Sequence, residues 1–181
     1  FSNTECIYLI ARAKASKDTV LADLIMLGLY TGARIEELCQ LRVDDVIVED
    51  NHRALRINQS KTQAGARTVP IHPLISDLVD ELIYKSEDGY LILSKSENQY
   101  NERSIGLGRR FGRLKLALNF GPELVFHSLR KTVTTKLEQA GVIEGVAADI
   151  VGHEKQTMTY GLYSGGTSMA QKMEAISKIS Y

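Results

Sequence analysis

Tryptophan is absent from the 181 residues, and there are only two cysteines, three prolines and four histidines. Cys6 and Cys39 lie far apart and outside any Cys-x-x-Cys pair. That excludes a disulfide scaffold or a cysteine-rich metal cluster and makes a reducing, cytoplasmic setting the default. No stretch approaches the roughly eighteen consecutive apolar residues of a membrane span. The segment Phe1 to Cys6 lacks the basic region and apolar run of a signal peptide, and it lacks an initiating Met, as a piece of a longer protein would. There is no repeat, low-complexity tract or Pro-rich linker. With 44% hydrophobic and 24% charged residues, one soluble globular domain is expected.

Net charge is also lacking: 22 Lys and Arg balance 22 Asp and Glu. The balance is not local. From Asn51 to Ser76 there is no acid, but Arg53, Arg56, Lys61 and Arg67 are present. Between Arg103 and Lys115 stand Arg103, Arg109, Arg110, Arg113 and Lys115, again without an acid. Such stretches give a neutral chain a positive face suited to nucleic acid.

Apolar periodicity predicts helices over Asp18 to Tyr30, closed by Gly32, and over about Arg34 to Leu41. The period then changes. Val46 to Val48, Ala54 to Ile57 and Arg67 to Val69 are short and rich in β-branched residues, and predict a small antiparallel sheet. Gln59 to Ala66 would be an exposed hairpin loop between its last two strands. Pro73 suits a first helical turn and opens a helix to about Tyr84. Tyr90 to Leu93 fits strand or coil equally. Further helices are expected over Arg103 to Leu118, Ser128 to Ala140 and Glu144 to Val151, with weaker ones at Lys155 to Tyr160 and Met169 to Ile179. The fold class is mostly α with a small antiparallel β-sheet, in one domain over residues 1–181.

Four histidines allow each to be weighed. His52, in a predicted turn, and His72, beside Pro73, fit solvent exposure or local hydrogen bonding. His127 opens a helix with Arg130 on the same face, and His153 follows a helix end at Val151-Gly152. A zinc site needs three or four ligands with two closely spaced, but Arg130 puts a cation where a second ligand would stand, so no metal is expected. There is no Gly-x-Ser-x-Gly and no phosphate loop, so neither a serine hydrolase nor a nucleotide cofactor is indicated. Chemistry on a phosphodiester requires cations for the non-bridging oxygens, an acid for the leaving oxygen and a nucleophile. Arg34, Lys61, His127, Arg130, His153 and a tyrosine at 160 or 163 include all of these.

Those residues lie in recognisable boxes. Thr31-Gly32-Ala33-Arg34-Ile35-Glu36-Glu37-Leu38 with Leu41 resembles the first signature box of the tyrosine recombinases, or phage-type integrases. His127-Ser128-Leu129-Arg130 matches their His-x-x-Arg box, and Val151-Gly152-His153 is similar to their Leu-Gly-His element. Lys61, ahead of Arg67-x-Val69-Pro70, fits the hairpin lysine. The resemblance covers roughly Val20 to Gly166 with every box in order, and the ordered set is far more specific than any single box.

The resemblance implies a tyrosine recombinase catalytic domain that breaks and rejoins DNA strands through a 3′-phosphotyrosyl intermediate, without metal, ATP or other cofactor. It implies that Arg34 and Arg130 clamp the scissile phosphate, Lys61 protonates the leaving 5′-oxygen, His127 contacts the phosphate and helps move the phenol proton, His153 also contacts the phosphate, and Glu37 supports their geometry. Family members place the nucleophile nine residues after the Gly-His histidine. Here that position is Leu162, with Tyr163 one residue further and Tyr160 two residues short, so Tyr163 is favoured. The basic run at Arg103, Arg109, Arg110, Arg113 and Lys115 would track DNA phosphates; as a plain alternative it is an exposed helix face. The implied partner is double-stranded DNA, bound by a homotetramer that is monomeric when free, in the bacterial cytoplasm near the nucleoid. An N-terminal DNA-binding domain, usual in the family, is not seen before Phe1. Met169 to Tyr181 would dock on a neighbouring protomer or within its own chain. Two alternatives remain: a catalytically inactive DNA-binding relative and, disfavoured by the short chain, a type IB topoisomerase.

Overall fold

The computed structural model describes residues 1–58, 65–94, 99–154 and 166–181. Its centre is α2 (Thr19–Thr31), which is buried along almost its whole length. Asp18 caps its start by accepting from the Leu21 N–H at 3.1 Å. Gly32 ends it in the left-handed region, at φ 64°. A Cβ there would lie 2.9 Å from Val151 Cγ1, so conformation and close packing both require glycine.

A helix that the sequence did not suggest, α1 (Asn3–Ala15), packs along α2. A Ser2–Glu5 capping box starts it, and Cys6, Leu9 and Ala13 form its buried stripe. Ile7 and Tyr8 are exposed on the other side, which blurs the apolar period. Next come α3 (Ile35–Cys39), a short 3₁₀ turn, and the strands β1 (Val46–Glu49), β2 (His52–Ile57) and β3 (Arg67–Pro70). The sheet is antiparallel in the order β1-β2-β3, with Leu55 facing both Val46 and Val69. Leu55, Ile57 and Val69 join the core. His52 is therefore a strand residue and not part of a turn. The expected hairpin loop falls between β2 and β3, with residues 59–64 outside the described set.

Pro73 opens a 3₁₀ turn that leads into α4 (Ser76–Lys85). Tyr90 to Leu93 is neither regular strand nor free coil: Tyr90 bridges to Arg42, the Leu91 N–H donates to the Leu41 carbonyl at 2.9 Å, and Leu91 and Ile92 are buried. Then follow α5 (Ile105–Ala117), α6 (His127–Gln139) and α7 (Glu144–Val151), close to the expected ranges. The expected helix over Lys155 to Tyr160 lies outside the described residues.

The last helix, α8 (Met169–Ile176), stops short of Ile179. The segment docks within its own chain. Met169, Ala175, Ile176 and Ile179 are buried, and α8 contacts α7, β2 and β3. The Tyr181 hydroxyl donates to the Leu29 carbonyl at 2.8 Å, with its ring set edge-on to Tyr30 and beneath Lys136 Nζ. Burial raises the Tyr181 phenol far above its usual range, so this tyrosine stays protonated. No helix among the described residues is long and apolar enough to cross a membrane.

Candidate active site

The site grows from the C-terminal end of α2. Thr31 Oγ1 donates to the Leu27 carbonyl at 2.6 Å and accepts from the Ala33 N–H at 3.1 Å. Together with left-handed Gly32, these bonds turn the chain sharply into α3, with Arg34 at its N-cap. Glu37, one turn on, reaches back to the cap. Its carboxylate accepts from the Arg34 backbone N–H at 2.9 Å and from Arg34 Nη1 at 2.6 Å. The Glu37 side chain is only 3% exposed, against 41% for Arg34, so this is no ordinary surface i, i+3 pair. Glu37 also binds Arg67 Nη2, at 3.0 Å. Burial pushes the Glu37 carboxyl up, but the Arg67 and Arg34 guanidiniums outweigh it and hold the group below its usual range.

Arg130 lies one helical turn after His127 on α6 and is 2% exposed. Its Nη1 donates to the Gly32 carbonyl at 2.9 Å and its Nη2 to the Gly152 carbonyl at 3.2 Å. Both carbonyls belong to left-handed glycines that end helices, α2 and α7. One side chain thus ties together all three boxes found in the sequence. Its Nε is buried with no partner, and among the described residues it makes no ion pair. Burial, then the nearby Arg34 and Arg67 charges, bring its pKa down to about 10, which leaves it cationic at neutral pH.

His127 and His153 present exposed imidazoles at the N-terminus of α6 and just beyond α7. Partial desolvation, then Arg130 and Arg34, hold the His127 imidazole below its ordinary pKa. His153 is held down by desolvation and then by Arg130, Arg34, His127 and Arg67. Both imidazoles thus lie in the field of Arg130 and Arg34, which puts the four side chains in one region. Lys61, Tyr160 and Tyr163 lie outside the described residues.

Sequence reasoning missed Arg67, which stands at the base of this cluster with a side chain only 4% exposed. In the sequence, Arg67-x-Val69-Pro70 served only to locate the hairpin lysine. The available signal was an arginine on a β-branched strand in an acid-free stretch, with no local carboxylate to pair it.

Three members of the expected DNA-tracking run prove to be occupied within the fold. Arg103 pairs with Asp88, lies over the Tyr90 ring, and its backbone N–H donates to Glu36 at 2.9 Å. Arg110 grips Asp18 through Nε and Nη2. Lys115 is 7% exposed and donates to the Gly121 and Pro122 carbonyls at 2.8 and 3.0 Å. Buried or paired cations of this kind are not free to meet phosphates, which leaves Arg109 and Arg113 exposed on α5. Elsewhere, His72 is buried, and its Nδ1 accepts from the Leu74 N–H at 3.0 Å, a local role. Burial raises Cys6 to about 11 and Cys39 to about 12, so neither is a thiolate nucleophile at neutral pH. Among the described residues no group of His, Cys, Asp and Glu gathers to hold a metal ion.

Chains of similar sequence and fold occur among known proteins. Tyrosine recombinase XerA of Pyrococcus furiosus is 27% identical over 150 residues, which cover 79% of this chain and 50% of that protein. Prophage integrase IntF of Escherichia coli K12 is 30% identical over 135 residues, 72% of this chain and 27% of that protein. The chain spans about half the length of the XerA relatives it matches. A solved structure of the Tn1549 transposon integrase with transposon right end DNA superposes with a TM-score of 0.69 at 27% identity, covering 94% of this chain and 63% of that one. The lambda integrase catalytic core shares the fold, with a TM-score of 0.65 at 21% identity, covering 84% of this chain and 94% of that one. Residues 2–167 match the phage integrase family, and with its boxes in order and their side chains drawn together, the chain belongs to that family.

Proposed function

We propose that residues 1–181 form the catalytic domain of a site-specific DNA recombinase that cleaves and rejoins strands through a covalent 3′-phosphotyrosyl intermediate. Arg130 carries the reading. It is a buried cation with two carbonyl partners, no ion pair and an unpartnered Nε among the described residues, and it interacts electrostatically with Arg34, His127 and His153. Natural folds rarely leave such a group uncompensated without a ligand to meet it. An anionic phosphodiester supplies the missing charge.

In this scheme Arg34 and Arg130 hold the non-bridging oxygens and stabilise the charge of the pentavalent transition state. The Tyr163 phenol oxygen attacks phosphorus, the P–O5′ bond breaks, and Lys61 gives a proton to the departing 5′-oxygen. His127, kept neutral near pH 7 by its lowered pKa, accepts the phenol proton. His153 donates a further hydrogen bond to the phosphate. Rejoining reverses each step, with the 5′-hydroxyl as nucleophile. The phosphotyrosine conserves the bond energy, so the scheme calls for neither ATP nor a metal.

The partner is double-stranded DNA, with Arg109 and Arg113 as the cations of α5 free to approach its backbone. Four copies would act on two sites in pairs of strand exchanges, in the bacterial cytoplasm near the nucleoid. A lambda integrase tetramer on a Holliday junction and the DNA-bound Tn1549 integrase, similar in fold, support this reading. A DNA-binding relative without catalysis is the second reading, and a covalent adduct separates the two. The test traps the protein on supercoiled and nicked DNA in EDTA, denatures it, and maps the nucleotide-bearing peptide by mass spectrometry. The adduct is expected on Tyr163 and lost in Tyr163→Phe. An adduct on Tyr160 moves the nucleophile, and none from the full-length protein on its own site overturns catalysis.

A further inference from the structure

Arg67 opens β3, yet its guanidinium serves other elements. Nη2 binds Glu37 Oε2 at 3.0 Å, Nε donates to the Ile150 carbonyl at 2.7 Å, and Nη1 donates to the Gly65 carbonyl at 2.7 Å. The Glu37 oxygen it holds also accepts the Arg34 backbone N–H, while the other Glu37 oxygen holds Arg34 Nη1. On its opposite side, Ile150 lies two residues before Gly152, whose carbonyl anchors Arg130. A Cβ at Gly152 would sit 2.7 Å from Arg67 Nη1, so the guanidinium lies directly against the turn that presents His153. Arg67 therefore stands between the support of Arg34 and the support of Arg130. All three of its guanidinium nitrogens are bonded within the fold, whereas Arg130 keeps an unpartnered Nε, so Arg67 acts through its neighbours.

We propose that Arg67 is a positioning residue for the phosphate site. Acting through Glu37 on one side and the Ile150–Gly152 turn on the other, it sets Arg34, Arg130 and His153 at the spacing that grips a single phosphate. The inference rests on the phosphate site proposed above. Its physical basis is the planar fork of arginine, which can bond a carboxylate and two carbonyls in fixed directions. Lysine supplies the same charge from a single nitrogen and cannot hold all three in that geometry.

The test titrates inorganic phosphate into the 181-residue chain while NMR follows the His127 and His153 imidazole signals. Unfolding midpoints are measured on the same samples. In the natural chain both imidazoles are expected to respond with one common Kd. Arg67→Lys keeps the charge; it should bind phosphate about tenfold more weakly, with the His153 response uncoupled from that of His127. If Arg67→Lys lowers only the midpoint and leaves the Kd and the coupled response intact, the role is merely structural and the proposal fails. Should Arg67→Lys not fold, the pair Arg67→Met with Glu37→Gln is compared with Glu37→Gln alone, so that the change in Kd and in the coupled response reports Arg67, and the same two outcomes decide. Absence of any phosphate response in the natural chain overturns the phosphate site itself, and this inference with it.

Discussion

Arginines are used in opposite ways in two regions of this molecule. At α5, each of two arginines has a carboxylate of its own: Arg103, just ahead of the helix, has Asp88, and Arg110, within it, has Asp18. Around α3 and α6, Arg34, Arg67 and Arg130 stand near one another with Glu37 as the carboxylate bonded to two of them. In the first region each of these two charges is matched, and the Arg110–Asp18 pair ties α5 to the start of α2. The second has surplus positive charge in a partly desolvated place, a costly arrangement unless an anion completes it. Within one chain, the balance of charge separates cations matched inside the fold from cations left in excess. A count of basic residues does not.

Removing the shared carboxylate should break the contrast most severely. Glu37→Ala leaves Arg67 buried without a counter-charge and Arg34 without its anchor. The loss is expected to be about 3–5 kcal/mol, read by chemical denaturation. A variant within 1 kcal/mol of the natural chain (roughly the worth of an exposed pair) would mean that Glu37 acts as a surface residue after all.

Arg130→Met should separate stability from activity. The adduct-forming rate is expected to fall on the order of 10²–10³-fold, as when a preorganised transition-state donor is lost. The unfolding midpoint should fall much less than in Glu37→Ala, because the substitution also removes a buried charge that lacks an ion pair. Equal losses of stability in the two variants would erase the distinction between the regions.

In the first region, Asp18→Ala removes both the cap of α2 and the partner of Arg110. A loss of about 1–2 kcal/mol is expected, with the adduct-forming rate nearly unchanged. A large fall in that rate would show that α5 and the site are coupled.

Acid should produce the smallest and most graded effect, and it reaches the histidines and the carboxylates at different pH. His72, His127 and His153 are all held below the ordinary histidine value, first by desolvation. As pH falls through about 6.5, the unfolded chain takes up these protons before the folded one, so stability declines from there downward. Asp18 and Glu37 have lowered pKa values instead, so their contributions hold through this range and are lost only as pH falls through and below about 4. Unfolding midpoints of the natural chain and of Asp18→Ala should fall in parallel from pH 7 to 5 and converge at lower pH. A midpoint flat from 7 to 5 would remove the histidines from this account.

Local patterns made much of the fold legible. Cap residues, left-handed glycines and the change from helical to β-branched periods located the sheet and most helices within a few residues. α1 escaped because exposed Ile7 and Tyr8 interrupt the contrast between its faces. Tyr90 to Leu93 stayed ambiguous because its partners, Leu41 and Arg42, are distant in sequence. In the site, Arg34, His127, Arg130 and His153 were readable because motif order is a one-dimensional property. Arg67 was not, since its partners at Glu37 and Ile150 lie far from it along the chain.

The sequence by itself determined the family boxes, the helix stops at Gly32 and Gly152, and the types of side chain available for phosphoryl chemistry. Those depend on residue identity and short-range backbone preference, which no distant contact alters. Tertiary structure alone decided which cations are free. Arg110 and Lys115 look alike in a basic run, but Asp18 neutralises one and backbone carbonyls bury the other. Arg130 looks like any helical arginine until Gly32 and Gly152 close around it and, among the described residues, no carboxylate follows. Availability of charge is a matter of distance and dielectric between groups far apart in the chain, and folding sets both.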